Sequence, residues 1–180
     1  MEPQPGGWGA GAGHDGEHGL VSVGDGETYV IPVEVAEQRY GITVERFGFD
    51  IAEGAGAGRH RGGRGLVREY RIGCDEALLT VAWGRHEFPP WGAAGGRDGS
   101  PNYVEVVRDG SRRGGAFGKI SRMHLRRGDL LRLVTGTGGG YGDPRERDPE
   151  RVRQDLRDGI ITAREAAEYY GLAPASHDWS

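Results

Sequence analysis

Apolar positions in this chain come in short, well-punctuated bursts rather than long periodic runs. Val33, Ala36 and Tyr40 recur at helical spacing behind Pro32 and stop at Gly41, which predicts a short helix. Ile42, Val44, Phe47 and Phe49 then alternate with charged residues, with one irregularity, which predicts a strand. Leu66–Ile72 and residues 77–83 predict two more strands, joined as a hairpin around Gly73, Cys74, Asp75 and Glu76. Residues 103–107 and 117–120 predict short strands on either side of a turn at 109–111. Residues 125–130 predict a strand–turn–strand connection that runs on to Val134. The FPPWG stretch at 88–92 is kept out of a central strand because Pro89 and Pro90 lack backbone donors. The glycine-rich stretch at 54–65 predicts a long loop.

The end of the chain has a different period. Asp148 before Pro149 is a helix start: the carboxylate accepts a bond from an orphan backbone N–H, and proline at the first helical position gives up no needed donor. Val152 and Leu156 lie four apart on one face, and Gly159 supplies the left-handed residue that closes the helix. Thr162 and Glu165 predict a capping box for a second helix ending near Gly171. Ala163, Ala166, Ala167 and Tyr170 are expected on its packed side. Val152, Leu156, Tyr169 and Tyr170 together give an apolar side that predicts docking of both helices on a larger body, while Arg151, Arg153, Arg157 and Glu168 supply solvated faces. Short antiparallel strands followed by two helices predict an α+β fold, a β-rich sandwich or distorted barrel with two C-terminal helices. The expected organisation is a glycine-rich loop or tail at 1–28, a β-rich region at 29–143, a two-helix segment at 144–171 and a tail at 172–180.

Composition changes this picture in one respect. Thirty-five of 180 residues are glycine, against a usual share of about 7%, while apolar residues reach only 36%. Apolar bursts recur between the glycines, which argues against a disordered polymer and for a loop-rich fold with a thin core. The net charge is −4, and Lys119 is the single lysine among 23 basic residues. Acidic residues alternate with the arginine clusters and no aromatic ladder interleaves them, so nucleic acid is not an expected partner. No stretch approaches the ~18 apolar residues of a membrane span, so no membrane partner is expected either. The N-terminus lacks the positive start and apolar middle of a signal peptide. One cysteine, Cys74, excludes an internal disulfide, and a reduced, cytoplasmic setting is expected.

Candidate chemistry is dispersed. The run Gly136, Thr137, Gly138, Gly139, Gly140, Tyr141, Gly142 and Asp143 is the first candidate for phosphate binding, but it carries no P-loop lysine and puts Asp143 where a dinucleotide fingerprint needs glycine. Its backbone can still line a ligand pocket or pass close to another chain, and the structural reading is favoured. His14 and His18 are four apart, but Gly13, Gly16 and Gly19 oppose the helix a shared metal would need, and no metal site is expected in this chain. His86, just before Phe88, and Arg97 are candidates for orienting a ligand, since histidine titrates near neutral pH; a partly buried, hydrogen-bonded histidine is the competing reading. Asp75 and Glu76 beside Cys74 work against an activated thiolate. His86, Arg97, Gly138, Gly139, Gly140 and Asp143 are therefore the ligand or interface candidates, with no catalytic residue assigned.

Several motifs occur in a family-like order: PVEVAEQRY at 32–40 followed by VER at 44–46, GAGAG at 54–58, RGGRG at 61–65, VREYR at 67–71, FPPWG at 88–92 with Gly95, Gly96 and Arg97, then Lys119, Leu125, Gly128 and Asp129. In this series, and in the run from Gly136 to Gly171, the chain resembles the hydantoinase B / 5-oxoprolinase B subunits, which include the alpha subunit of acetone carboxylase. The resemblance spans roughly Gly24 to Gly171 and looks like the C-terminal portion of those longer proteins. It implies part of a B-type subunit that opens cyclic amides such as hydantoins or 5-oxoproline together with a hydantoinase A-type subunit. It also implies an N-terminal B-type portion as a second partner. A ketone carboxylase fragment and a non-catalytic assembly module or truncated-gene remnant are the alternatives. No cofactor is expected in this chain. ATP and a divalent metal are expected on the missing region or the partner subunit, so no metal ligand carries over.

Overall fold

The computed structural model describes residues 3–21 and 30–172. The parts of the expected tails at 1–2, 22–28 and 173–180 lie outside the described residues. The elements are α1 (Val33–Tyr40), β1 (Ile42–Phe49), β2 (Leu66–Ile72), β3 (Glu76–Ala82), β4 (Tyr103–Arg108), β5 (Ser111–Arg112), β6 (Lys119–Arg126), β7 (Leu130–Val134), α2 (Pro149–Arg157) and α3 (Ala163–Glu168). A five-stranded antiparallel sheet runs β1-β2-β7-β4-β5, and β3 pairs with β6 as a second sheet. The fold is α+β, with two sheets that do not close into a barrel.

The sheets meet at one apolar core. Tyr70 and Ile72 of β2, Val104 and Val106 of β4, and Leu131 and Leu133 of β7 pack with Val81 of β3 and Leu125 of β6. The opposite face of the large sheet is held by charge instead. Arg132 stands opposite both Glu69 and Glu105 in the strand register and reaches them at 2.6 and 3.6 Å, while Arg112 adds a 2.8 Å bond to Glu105.

The expected hairpin of residues 66–72 with 77–83 does not form. Both edges of β2 are occupied, by β1 and by β7, so the turn at Gly73 and Cys74 carries the chain into the other layer. Both of their N–H groups donate to the Gly41 carbonyl at that corner. Likewise residues 117–120 are not a separate short strand. Phe117 makes only an isolated bridge to Val104, and β6 runs unbroken from Lys119 to Arg126 with a register irregularity against Leu79 and Val81.

Local signals in the helices translate directly. Gly41 caps α1 in the left-handed region, with φ +59°. Asp148 accepts from the Glu150 N–H with Pro149 at the first position of α2, and Thr162 and Glu165 form the full capping box of α3. Val152, Ile161 and Ala166 bury against one another, flanked by Leu156, Ile160, Tyr170 and Leu172. Ala163 and Ala167, expected on the packed side, are exposed, because a helix of six residues presents a single narrow stripe. Truncating Leu156 to Ala should cost about 2 kcal/mol, the low end for a leucine because the site is only partly buried. That is a fall of about 4–8 °C in melting temperature for a chain of this size. Arg153→Ala, half exposed and paired with Glu150, should leave the melt nearly unchanged.

Candidate functional site

The glycine-rich segments form the second half of the molecule's interior. Residues 136–142 run through its centre and bond to three others. Gly7 donates to the Gly136 carbonyl at 3.0 Å and Ala10 to that of Gly139 at 2.9 Å. The Gly138 N–H donates to Gly63 and its carbonyl accepts from Gly56, both at 2.9 Å. Ala93 donates to the Gly140 carbonyl, and the Gly140 N–H donates to that of Arg97, again at 2.9 Å. Backbones approach this closely because no Cβ intervenes. A Cβ on Gly138 would lie inside 3.0 Å of the Trp8 carbonyl, one on Gly62 would meet Gly138, and one on Gly140 would meet Ala57. Gly138, Gly139 and Gly140 are thus buried against other backbone segments of this chain. Asp143, at the end of the run, is exposed and accepts from the Arg145 N–H at 2.8 Å.

Arginines tie the C-terminal helices to this glycine-rich body. Arg147 is buried and donates to Asp15 at 2.7 and 2.8 Å, to Asp155 at 2.7 Å and to the Arg59 carbonyl at 3.1 Å. Arg61 donates to the other oxygen of Asp155 at 3.0 Å, and its backbone N–H donates to Asp15 at 2.9 Å. Arg64 bonds both oxygens of Glu165, the Ile160 carbonyl and the Glu53 carbonyl. Burial alone would push Asp15 up, but the bonded and charged Arg147, with Arg61, holds its carboxyl below the usual carboxylate range. Burial opposes the charge on Arg147, and the two carboxylates more than reverse that, raising its pKa. The helices dock, as their apolar stripe suggests, but by buried ion pairs that the stripe does not announce.

The remaining candidates lie apart from one another. His86 lines a cleft of about 640 Å³ together with Trp83, Arg85, Phe88, Phe117 and Lys119. Its Nδ1 is 2.8 Å from the Asn102 carbonyl; a carbonyl only accepts, so Nδ1 carries a proton and turns Nε2 away from this bond. Gly118 makes room for that ring, since a Cβ there would lie inside 3.0 Å of His86. Arg97 lies in a different depression, of about 300 Å³, with its guanidinium 4.4 Å from the centre of the Tyr169 ring. Tyr103 places its hydroxyl 3.4 Å from Glu53, and burial together with that carboxylate pushes its pKa up to about 12.

His14 and His18 do not share a ligand position. The His14 ring contacts the Asp15 carbonyl, and Nδ1 of His18 accepts from the Arg64 N–H at 2.8 Å. Among the described residues no three His, Cys, Asp or Glu side chains converge as metal ligands. No helix among the described residues is long and apolar enough to cross a membrane. Sequence reasoning missed Arg61, Arg64 and Arg147 as internal anchors: Arg61 and Arg64 sit among glycines but Arg147 lies in a charged run, and no common pattern marks the three as buried.

This geometry has known counterparts. A family model described as hydantoinase B/oxoprolinase matches residues 1–144. The match therefore takes in the glycine-rich N-terminal segment and stops before α2. The chain is 34% identical over 142 residues to a putative D-/L-hydantoinase B-type subunit of Pseudomonas sp. (strain NS671), covering 78% of this chain and 24% of that protein. Its fold is similar to that of the ATP-dependent caprolactamase from Pseudomonas jessenii, with a TM-score of 0.75 at 23% identity, over 96% of this chain and 30% of that one. It is also similar to nucleotide-free acetone carboxylase, with a TM-score of 0.73 at 19% identity, over 93% of this chain and 26% of that one. The chain spans about a quarter of the length of the curated relative it matches, and it belongs to the hydantoinase B/oxoprolinase family.

Proposed function

We propose that this chain forms part of the B-type subunit of an ATP-dependent cyclic amidohydrolase, acting on a hydantoin- or 5-oxoproline-like ring in the cytoplasm with a hydantoinase A-type partner. The identity sustained over 142 residues with the Pseudomonas hydantoinase relative carries this reading. The chemistry of the chain supports it. The interior is a backbone-packed scaffold, and the titratable candidates His86, Arg97 and Asp143 are dispersed over separate surfaces. In this reading ATP and a divalent metal bind on the rest of the B-type subunit or on the A-type partner, and this chain acts by shaping and supporting that assembly.

The test is reconstitution. This chain, the remaining part of a B-type subunit and an A-type partner are co-expressed, and ATP-dependent ring opening of 5-oxoproline and hydantoins is followed. Turnover that requires all three components is expected. Carboxylation of a ketone in place of ring opening would move the chain to the carboxylase branch. A stable complex with neither activity would make it a non-catalytic assembly module.

A further inference from the structure

We infer that the surface formed by Arg85, Phe88, Trp91 and Lys119 is the docking face for the part of a B-type subunit that this chain does not contain, and that the segment seated there is apolar with an acidic flank. The inference rests on the family reading above. Phe88 is 76% and Trp91 68% exposed, more than any other large apolar side chain among the described residues. Single exposed apolar residues need no explanation, whereas a contiguous aromatic strip marks an interaction surface.

Arg85 makes the strip contiguous. Its guanidinium carbon lies 4.8 Å from the centre of the Trp91 ring. It lines the cleft that holds Trp83, Phe88 and Phe117, and also a second depression of about 280 Å³ lined by Trp8, Leu20 and Pro90. Trp8 and Leu20 are themselves more than 40% exposed. Tryptophan, phenylalanine and arginine are the residues that concentrate at interface centres.

The loop under this strip is held in place. Asn102 donates its N–H to the Arg85 carbonyl at 3.0 Å and its side-chain amide to the Gly84 carbonyl at 2.8 Å. Gly99 donates to Pro90 at 2.8 Å and Gly92 to the Asp98 carboxylate at 2.7 Å. Arg85 keeps φ +55°, a region few non-glycine residues occupy. A fixed backbone carrying exposed aromatic side chains is organised before its partner arrives, which lowers the ordering cost of binding.

Charge and length choose the occupant. Arg85 and Lys119 outnumber Glu87 around the cleft, so a partner segment carrying carboxylates is complementary. A second copy of this chain would bring the same cations face to face across a two-fold contact. The Pseudomonas hydantoinase relative has about three quarters of its length outside the matched region, which supplies ample chain to cover the strip.

The experiment co-expresses this chain with the unmatched part of that Pseudomonas relative and measures co-purification and affinity. Wild type should bind. Phe88→Ser and Trp91→Ser should each weaken binding by about thirty-fold, as truncation of an aromatic anchor does. Lys119→Glu should weaken it in a salt-sensitive way. Leu78→Ser, 47% exposed on β3, should bind as wild type, and all four variants should melt like wild type. If wild type and both aromatic variants bind equally, the docking face is wrong while the family reading stands. If wild type does not bind, the partnership itself fails. If the chain alone is a dimer that Phe88→Ser dissociates, a second copy occupies the strip and the proposal is overturned.

Discussion

Gly138→Ala should abolish folding. A Cβ at that position would lie inside 3.0 Å of the carbonyl oxygen and carbon of Trp8 and of the Gly9 nitrogen. All three are backbone atoms, so no side chain can rotate away to relieve the overlap. The Trp8 segment is itself pinned, donating to Glu17 at 2.9 Å and accepting from Gly63 at 2.8 Å. Moving it aside would break those bonds and leave buried polar groups unpaired at about 1–3 kcal/mol each. Against a total stability of about 5–15 kcal/mol, two or three such losses, about 2–9 kcal/mol together, remove much or all of it before the steric overlap itself is counted. Gly62→Ala should behave alike, because its Cβ would meet the Gly138 carbonyl. Gly13→Ala is the control: nothing lies within 4 Å of the added methyl, and its φ is not positive. Soluble yield, thermal melts and limited proteolysis read the contrast. Cooperative, wild-type-like melting of both Gly138→Ala and Gly62→Ala would show that the glycine-rich segments are loosely packed after all.

What could be read in the sequence was local, and what could not was long-range. The cap at Gly41, the Asp148–Pro149 start and the Thr162–Glu165 box are interactions between residues a few positions apart, so their spacing states them. The irregularity in the first strand was visible for the same reason and appears as a register shift between Val44 and Arg46. Strand partners are different. The 66–72 and 77–83 bursts invite a hairpin, and only the arrival of β7 from sixty residues downstream decides that β2 is central. The run at 136–142 showed abundant glycine but no periodicity, since backbone-to-backbone packing leaves no apolar pattern to count. Nothing in the spacing of Arg61, Arg64 and Arg147 distinguishes a buried guanidinium from a solvated one. Of the candidate residues, His86 lines a cleft, Arg97 stacks on Tyr169 elsewhere, Asp143 caps a turn and Gly138, Gly139 and Gly140 are interior backbone. Their scatter is the physical reason that sequence alone could name them but not join them into one site.

Arg147→Met should release the C-terminal helices from the body and cost about 3–5 kcal/mol, the usual effect of removing one partner from a buried ion pair. Arg147 is held on both sides, by Asp15 of the N-terminal segment and Asp155 of α2. Methionine matches much of its volume but leaves the half-buried Asp15 with the backbone N–H of Arg61 as its one hydrogen-bond donor, His60 and Arg151 lying 3.9 and 4.0 Å away. Asp155 keeps the Arg61 side chain, so the larger penalty falls on Asp15. Adding Asp15→Asn to Arg147→Met should therefore recover part of the loss, a coupling that a thermodynamic cycle measures directly. Acid should mimic the same lesion in the unaltered chain. The folded Asp15 carboxyl sits below its ordinary value because Arg147 and Arg61 outweigh the burial that would raise it. Its stabilising contribution is then complete above the unfolded pKa of about 3.9 and is lost as the pH falls through the lower, folded value. Protection of the α2 amides, expressed relative to their intrinsic exchange at each pH, should fall below pH ~4 in wild type, and should already be low at neutral pH in Arg147→Met. If Arg147→Met melts within about 1 kcal/mol of wild type and its α2 amides stay protected, the helices are held by their own apolar cluster of Val152, Ile161 and Ala166, and the buried arginine contributes little to docking.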